Sequence, residues 1–274
     1  MKERFLVAAL AAGLGLWLAD TSSAAAPAAA RPTHVTLKVY SLKTSRQEAL
    51  IDRFLQYQYL PALHAAGVTN IGVFKPIGND TTAGRRVYVL TPFTSLKQWE
   101  KVDKESTAKL LAAGGAYENA AYTDPAYTRQ ETILLKAFDE MQALVAPKLA
   151  GPKNERVYEL RSYEGASEKI FRNKVQMFNA GGEIKLFDRL GFNGIFYGEV
   201  LFGAKMPNLM YMTSFANMAA REAHWKAFGT DPEWKRLSRP CPSIKTTCRT
   251  SILRFCGPPA TRTCRPPLPK TCRC

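Results

Sequence analysis

Apolar and polar residues alternate along HVTLKVYSLK (34–43), the period of a half-buried strand. The spacing then becomes helical through SRQEALIDRFLQYQYLPALHAAG (45–67), which a glycine closes. Strand-like VTNIGVFKPIG (68–78) follows, then the turn residues NDTTAG (79–84), strand-like RRVYVLTPF (85–93) and a helix opening at Thr94 or Ser95. A Gly-Gly break, YTDPAYTR (122–129) and the apolar run QETILLKAF (130–138) complete the order βαββαβ.

The second half repeats the first. ERVYELRSYEG (155–165) predicts a strand, SEKIFRNKVQMFNAGGEIKLFDRLG (167–191) a helix, and FNGIFYGEVLFG (192–203) and NLMYMTSF (208–215) two more strands. A helix is predicted from about Asn217 to Phe228. LTPFTS (90–95) corresponds to MTSFAN (212–217), and Asp124-Pro125-Ala126-Tyr127 to Asp231-Pro232-Glu233-Trp234. A helix between residues 138 and 146 and APKLAGPKN (146–154) would link the halves.

Two βαββαβ runs predict an α+β protein of two tandem ferredoxin-like units, over 34–145 and 155–238, each with an antiparallel sheet carrying both helices on one face. The bare faces can cover each other. After Ser238 the repeat demands a fourth strand like ETILLKAF, but residues 239–274 turn to Cys, Pro, Thr and Arg. They hold all six cysteines of the chain, which allow fifteen pairings, and no acidic residue. On this reading the second unit lacks its last strand.

A slip of reading frame near Ser238 accounts for both observations. Back-translated with permitted codons and read one base earlier, residues 242–264 allow VHQNNVSHIDPAILRPASYSDL, which has acids, an apolar segment and no cysteine. The expectation is a frameshifted, disordered tail.

Charge and termini narrow the function. Of the formal +15, eight charges lie in 239–274, leaving +7 spread among interspersed acids and bases over 1–238, the pattern of a solvated surface and not of a nucleic-acid interface. Lys2 and Arg4, an apolar run from Phe5 to Ala19 and small residues up to Ala24 form an export signal. The apolar run is short for the roughly 20 residues that a bilayer core requires. Cleavage after Ala24 then leaves residues 25–33 as a flexible linker and a periplasmic or secreted protein with no stable membrane span.

VYELRSY (157–163), FYGEVLFG (196–203), YMTSFANMAAREAHWKAFGTDPEWKRL (211–237) and the out-of-frame NVSHIDPAILRPASYSDL resemble the NIPSNAP family of dimeric α/β-barrel proteins; residues 34–138 resemble the same domain more weakly. The resemblance implies that the two units form one barrel-type pseudo-dimer. It implies binding or interaction roles, with a small-molecule ligand or a protein partner and room for a homodimer. The wider superfamily also includes cofactor-free monooxygenases and haem-binding peroxidases, so a small oxidoreductase is the alternative.

Candidate chemistry is sparse. No cofactor is expected, although haem stays in reach through His224, the one histidine with motif context and the weak catalytic candidate, whose bland reading is a polar residue bonded to backbone. His34 and His64 read as a surface residue and a helix-end residue. No histidine pair has metal-ligand spacing, so no metal is expected. Strand alternation places Lys38 with Tyr40, and Glu159 with Arg161 and Tyr163, on one face. A cation beside a phenol inside a barrel could orient a carboxylate or phenolic ligand; the bland reading is a surface Glu159–Arg161 pair. Phe196, Met210, Tyr211, Met212, Trp225 and Trp234 could line an apolar pocket or pack as core. Trp225, Phe228 and Trp234 would clamp the helix and the Asp231-Pro232 turn, with Asp231 as cap. No phosphate loop, serine elbow or Cys–His pair is present in the folded region, so hydrolase chemistry has no support.

Overall fold

The computed structural model describes residues 31–78, 85–141, 144–238 and 247–255. The first repeat folds as β1 (His34–Leu42), α1 (Ser45–Phe54), a π-helical stretch (Leu55–Tyr59), α2 (Leu60–Ala65), β2 (Gly72–Pro76), β3 (Arg85–Phe93), α3 (Leu96–Ala113) and β4 (Arg129–Ala137). The second folds as β5 (Val157–Glu164), α4 (Glu168–Phe178), α5 (Glu183–Arg189), β6 (Asn193–Phe202), β7 (Asn208–Phe215), α6 (Met218–Thr230), α7 (Pro232–Ser238) and β8 (Thr247–Phe255). The export signal lies outside the described residues.

Helix starts follow local chemistry. Thr44 and Gln47 form a reciprocal capping box on α1, and Ser95, Ser167 and Asn217 each accept from the third amide of their helices. The long helix expected over 167–191 is broken in two. Gly182 sits at φ +88°, and a Cβ on Gly181 would meet the Met177 carbonyl oxygen at 2.6 Å, so the Gly-Gly pair permits a turn that continuous helix would not. The helix expected between 138 and 146 is absent among the described residues, where Val145 instead donates its amide to the Ile195 carbonyl at 3.1 Å.

All eight strands close one antiparallel barrel in the order β1-β3-β2-β8-β5-β7-β6-β4. Each repeat supplies four consecutive strands, with β4-β1-β3-β2 from the first and β8-β5-β7-β6 from the second. The seams are β2–β8, where Phe74 pairs with Phe255, and β4–β6, where Lys136 pairs with Glu199. Strand directions alternate, so β1 and β5, four places apart, run the same way; the approximate two-fold relating the repeats lies along the barrel axis.

The expected loss of the last strand, with a disordered tail across it, is corrected for residues 247–255. β8 pairs along its length with β5 and over three positions with β2. Main-chain ladder bonds are nearly indifferent to side chains, and two open edges facing one another across a gap would leave both unpaired. Alternation turns Leu253 into the lumen with 0% exposure, and Phe255 packs on Phe74 and Tyr158 at ring separations of 5.4 and 5.8 Å.

Alternation also sorts the core into an inner and an outer layer. Val35, Leu37, Leu90, Leu135, Tyr158, Leu160, Met212 and Leu253 fill the lumen. Tyr40, Ile51, Phe54 and Val87 pack between the first sheet half and its helices, and Phe178, Phe187, Tyr197, Tyr211 and Phe228 do the same in the second.

Candidate ligand-binding site

Glu159, Arg161 and Tyr163 share one face of β5, as alternation requires, but that face is the outer one, roofed by α4, α5 and α6. The expectation of a cation and phenol inside the barrel is therefore corrected: Leu160 occupies the lumen and its neighbours do not. The surface-pair reading fails too. Glu159 is 0% exposed and accepts from Arg161 Nε at 2.7 Å, Arg221 Nε and an Arg221 terminal nitrogen at 2.7 and 3.1 Å, and Trp225 Nε1 at 2.7 Å. Burial alone would raise its pKa; the donors from Arg221, Arg161 and Trp225 outweigh that and hold it below the ordinary carboxylate value.

Arg161 lies over the Trp225 ring at 3.7 Å and donates to the Tyr163 hydroxyl at 3.3 Å. Tyr163, Tyr211 and Tyr197 then stack in series, with ring separations of 5.9 and 5.3 Å. Beside them the buried Lys174 and Glu183 pair at 2.8 Å, the ammonium lying 4.7 Å from the Phe178 ring centre and 5.3 Å from that of Tyr163. Burial pushes the Glu183 carboxyl up despite Lys174. The charged groups pair with one another and clasp the helices to the sheet, while the buried Tyr211 and Tyr197 hydroxyls make no hydrogen bond.

The remaining sequence candidates divide between layers. Met212 and Phe196 face the lumen. Lys38 stands 4.6 Å above the Tyr59 ring, and Tyr40 is buried among Tyr117 and Tyr127. Phe228 packs against Trp234 at a ring separation of 4.3 Å, and Pro232 opens α7. Asp231 accepts from the Glu233 and Trp234 amides at 2.8 and 3.2 Å and from Arg189 at 2.9 Å, the cap its position implied. The corresponding Asp124 caps no helix; it pairs with Arg46.

His224 does not reach the lumen. Its Nδ1 lies 2.8 Å from the Leu190 carbonyl, which fixes a proton on that nitrogen, and its ring centre is 5.7 Å from that of Phe192 and 5.8 Å from that of Phe215. Wedged in this way, it borders none of the described cavities, so these residues do not fit a haem held by His224. Among the described residues no cluster of three metal-binding side chains exists.

The space for a ligand is at one mouth of the barrel. A cavity of about 550 Å3 opens there, floored by the lumen residues Phe74, Leu90, Tyr158 and Ile195 and walled by Phe255. The connection between the repeats crosses this mouth. Leu144 packs on the lumen core, Val145 is tied to Ile195, and the Lys148 amide donates to Asn193 Oδ1 at 3.0 Å. His64, Lys153, Arg156 and Tyr158 are its charged or titratable lining groups among the described residues, with no carboxylate among them. Burial raises the pKa of the Tyr158 phenol, an effect opposed by the neighbouring Arg156. The opposite mouth, about 480 Å3, is mixed in charge, with Arg86, Lys205 and Glu131 around Ser162 and Asn208.

Sequence reasoning missed Arg156, Tyr158 and the 144–147 strap. The signal for Tyr158 was present: the alternation that sends Leu160 inward sends Tyr158 inward too. For the strap there was none, because its place depends on where the barrel mouth falls.

A closed antiparallel barrel built from two βαββαβ units, with helices on its outside, defines the dimeric α/β-barrel class, here in one chain. Two solved structures share this fold: a candidate monooxygenase from Lactobacillus acidophilus, 11% identical over 81% of this chain and 94% of its own, TM-score 0.55, and a candidate monooxygenase from Fusobacterium nucleatum, 8% identical over 82% and 93%, TM-score 0.55. Residues 158–252 match the NIPSNAP family model. A NIPSNAP-like domain protein from Burkholderia xenovorans is 18% identical over 42% of this chain and 93% of its own, TM-score 0.33. No curated protein matches the chain.

Proposed function

We propose that the protein is an exported small-molecule-binding protein whose ligand occupies the barrel-mouth cavity. The observation that carries this reading is the cavity itself: about 550 Å3, within the range usual for ligand sites, largely apolar in its floor and bordered by a few polar groups. The strap from Leu144 to Pro147 closes part of a two-fold mouth and makes the site single. The Glu159–Arg161 clasp is architecture under this reading. The export signal delivers the chain to the periplasm or beyond, with a mature amino terminus at Ala25, which the mass of the exported protein checks.

Binding is tested with the neutral fluorophore N-phenyl-1-naphthylamine. Saturable enhancement at one equivalent per chain is expected. Ala146→Trp, an exposed lining position, should fill the mouth and abolish binding with an unchanged melting temperature. No enhancement with the wild-type protein, or full enhancement with A146W, overturns the reading.

The oxidoreductase alternative rests on His224, and its place between Phe192 and Phe215 speaks against that role. A Soret band in the purified protein that disappears in His224→Ala would restore it. Both edges of each four-stranded half are already paired within the chain, so a homodimer would use helical faces; sedimentation at several concentrations reads this directly.

A further inference from the structure

Resting on the binding reading above, we propose that the barrel-mouth ligand is an amphiphilic organic carboxylate, its head group taken by Arg156 with Lys153 and its apolar body lying on Phe74, Leu90 and Ile195. The first support is an unmet donor. Arg156 Nε is buried and makes no hydrogen bond, while a terminal nitrogen of the same guanidinium donates to the Leu149 carbonyl at 2.6 Å. The guanidinium of the half-buried Arg156 is thus not fully used by the protein, and a carboxylate accepts from guanidinium with matching planar geometry. The second support is charge. Among the described residues the lining contains Lys153 and Arg156 and no Asp or Glu, so these groups attract an anion and an ammonium ligand meets two cations.

Third, the anchor is held in place. The Leu149 contact ties Arg156 to the connection just after the strap, and the Tyr158 phenol lies beside the guanidinium at the cavity floor. The two cations, Lys153 and Arg156, come from one segment, while Phe74, Leu90 and Ile71 give apolar lining, with the polar His64 and Asn70 next to Ile71. That division suits a molecule with one anionic end and one apolar end. It suits a symmetric polar solute poorly.

The test is displacement of N-phenyl-1-naphthylamine by decanoate, 1-decanol and decylamine, which share a chain and differ in the head. Decanoate is expected to displace at a concentration at least about tenfold below decanol, since a charge-assisted hydrogen bond is stronger than a neutral one. Decylamine should be weakest. Arg156→Gln should bring decanoate to the level of decanol and leave decanol where it was. Equal displacement by decanoate and decanol in the wild-type protein overturns the head-group proposal while the cavity reading stands. Failure of the fluorophore to bind at all defeats the cavity reading instead. If R156Q weakens decanol as much as decanoate, Arg156 only shapes the mouth and the proposal falls. Lys153→Gln, at an exposed position, serves if R156Q does not fold: a narrowed decanoate preference supports the proposal, and an unchanged one overturns it.

Discussion

The Glu159 carboxylate accepts the Trp225 indole N–H at 2.7 Å while also holding two guanidinium groups, so a single strand side chain with 0% exposure fastens α6 to the sheet. Trp225 in turn packs against Phe192 and Phe228 at ring separations of 4.8 and 5.5 Å. Replacing Trp225 by Ala should cost about 3–5 kcal/mol, the range for a large aromatic removed from a core. Glu159→Ala should cost a similar ~3–5 kcal/mol because it leaves Arg161 and Arg221 without their counter-charge. Urea unfolding of both variants measures this, and a loss below one kilocalorie for either would contradict the clasp.

The same carboxylate sets an acid limit. Its pKa is below the ordinary value of 4.5 in the folded chain, so the folded state binds fewer protons, and the stability it contributes is complete above 4.5 and lost as pH falls through the lower folded value. Glu183, raised by burial, works in the opposite sense and favours the folded state as pH falls toward 4.5. The urea midpoint of the wild-type protein should therefore fall more steeply below pH 4.5 than that of Glu159→Gln. Parallel curves for the two would remove Glu159 as the cause.

Lys174 and Glu183 form a buried pair whose members need each other. Lys174→Met alone should destabilise by about 3–5 kcal/mol because Glu183 is left buried without its counter-charge in an aromatic surround. The double replacement Lys174→Met with Glu183→Leu should recover most of that loss, since an apolar pair of similar size suits the same space. Denaturation midpoints of the three proteins decide it; a double variant as weak as the single one would show that the pair is not self-compensating.

Leu253 tests the eighth strand. Fully buried in the lumen, it should cost about 2–5 kcal/mol on replacement by Ala, whereas a strand that did not close the barrel would lose almost nothing. The frameshift proposal has its own measurement, the coding DNA after codon 238. If a single-base change restores the out-of-frame reading, the restored chain should place its own apolar segment on β5 and melt at a higher temperature. Neither alternative frame yielding a strand-like ending would dispose of the slip.

The duplicated βαββαβ order, the strand bounds of β3 and β7, and the helix starts at Asn217 and at Thr94 or Ser95, of which the structure chooses Ser95, were legible in the sequence because they depend on spacing within a few residues. So was the sharing of one face by Glu159, Arg161 and Tyr163, since alternation is a property of any strand. Which face that was could not be read locally: both faces of each sheet are buried, and only closure of the barrel decides that Leu160 goes inward and Glu159 under the helices. The same closure gave TCRTSILRF a strand's place, because two open edges supply main-chain partners that no local pattern reports. The cavity belongs wholly to the tertiary structure. Its lining comes from α2 and the connection after it, from β2, β3, β5, β6 and β8, and from the strap, segments far apart along the chain that meet only where the barrel ends.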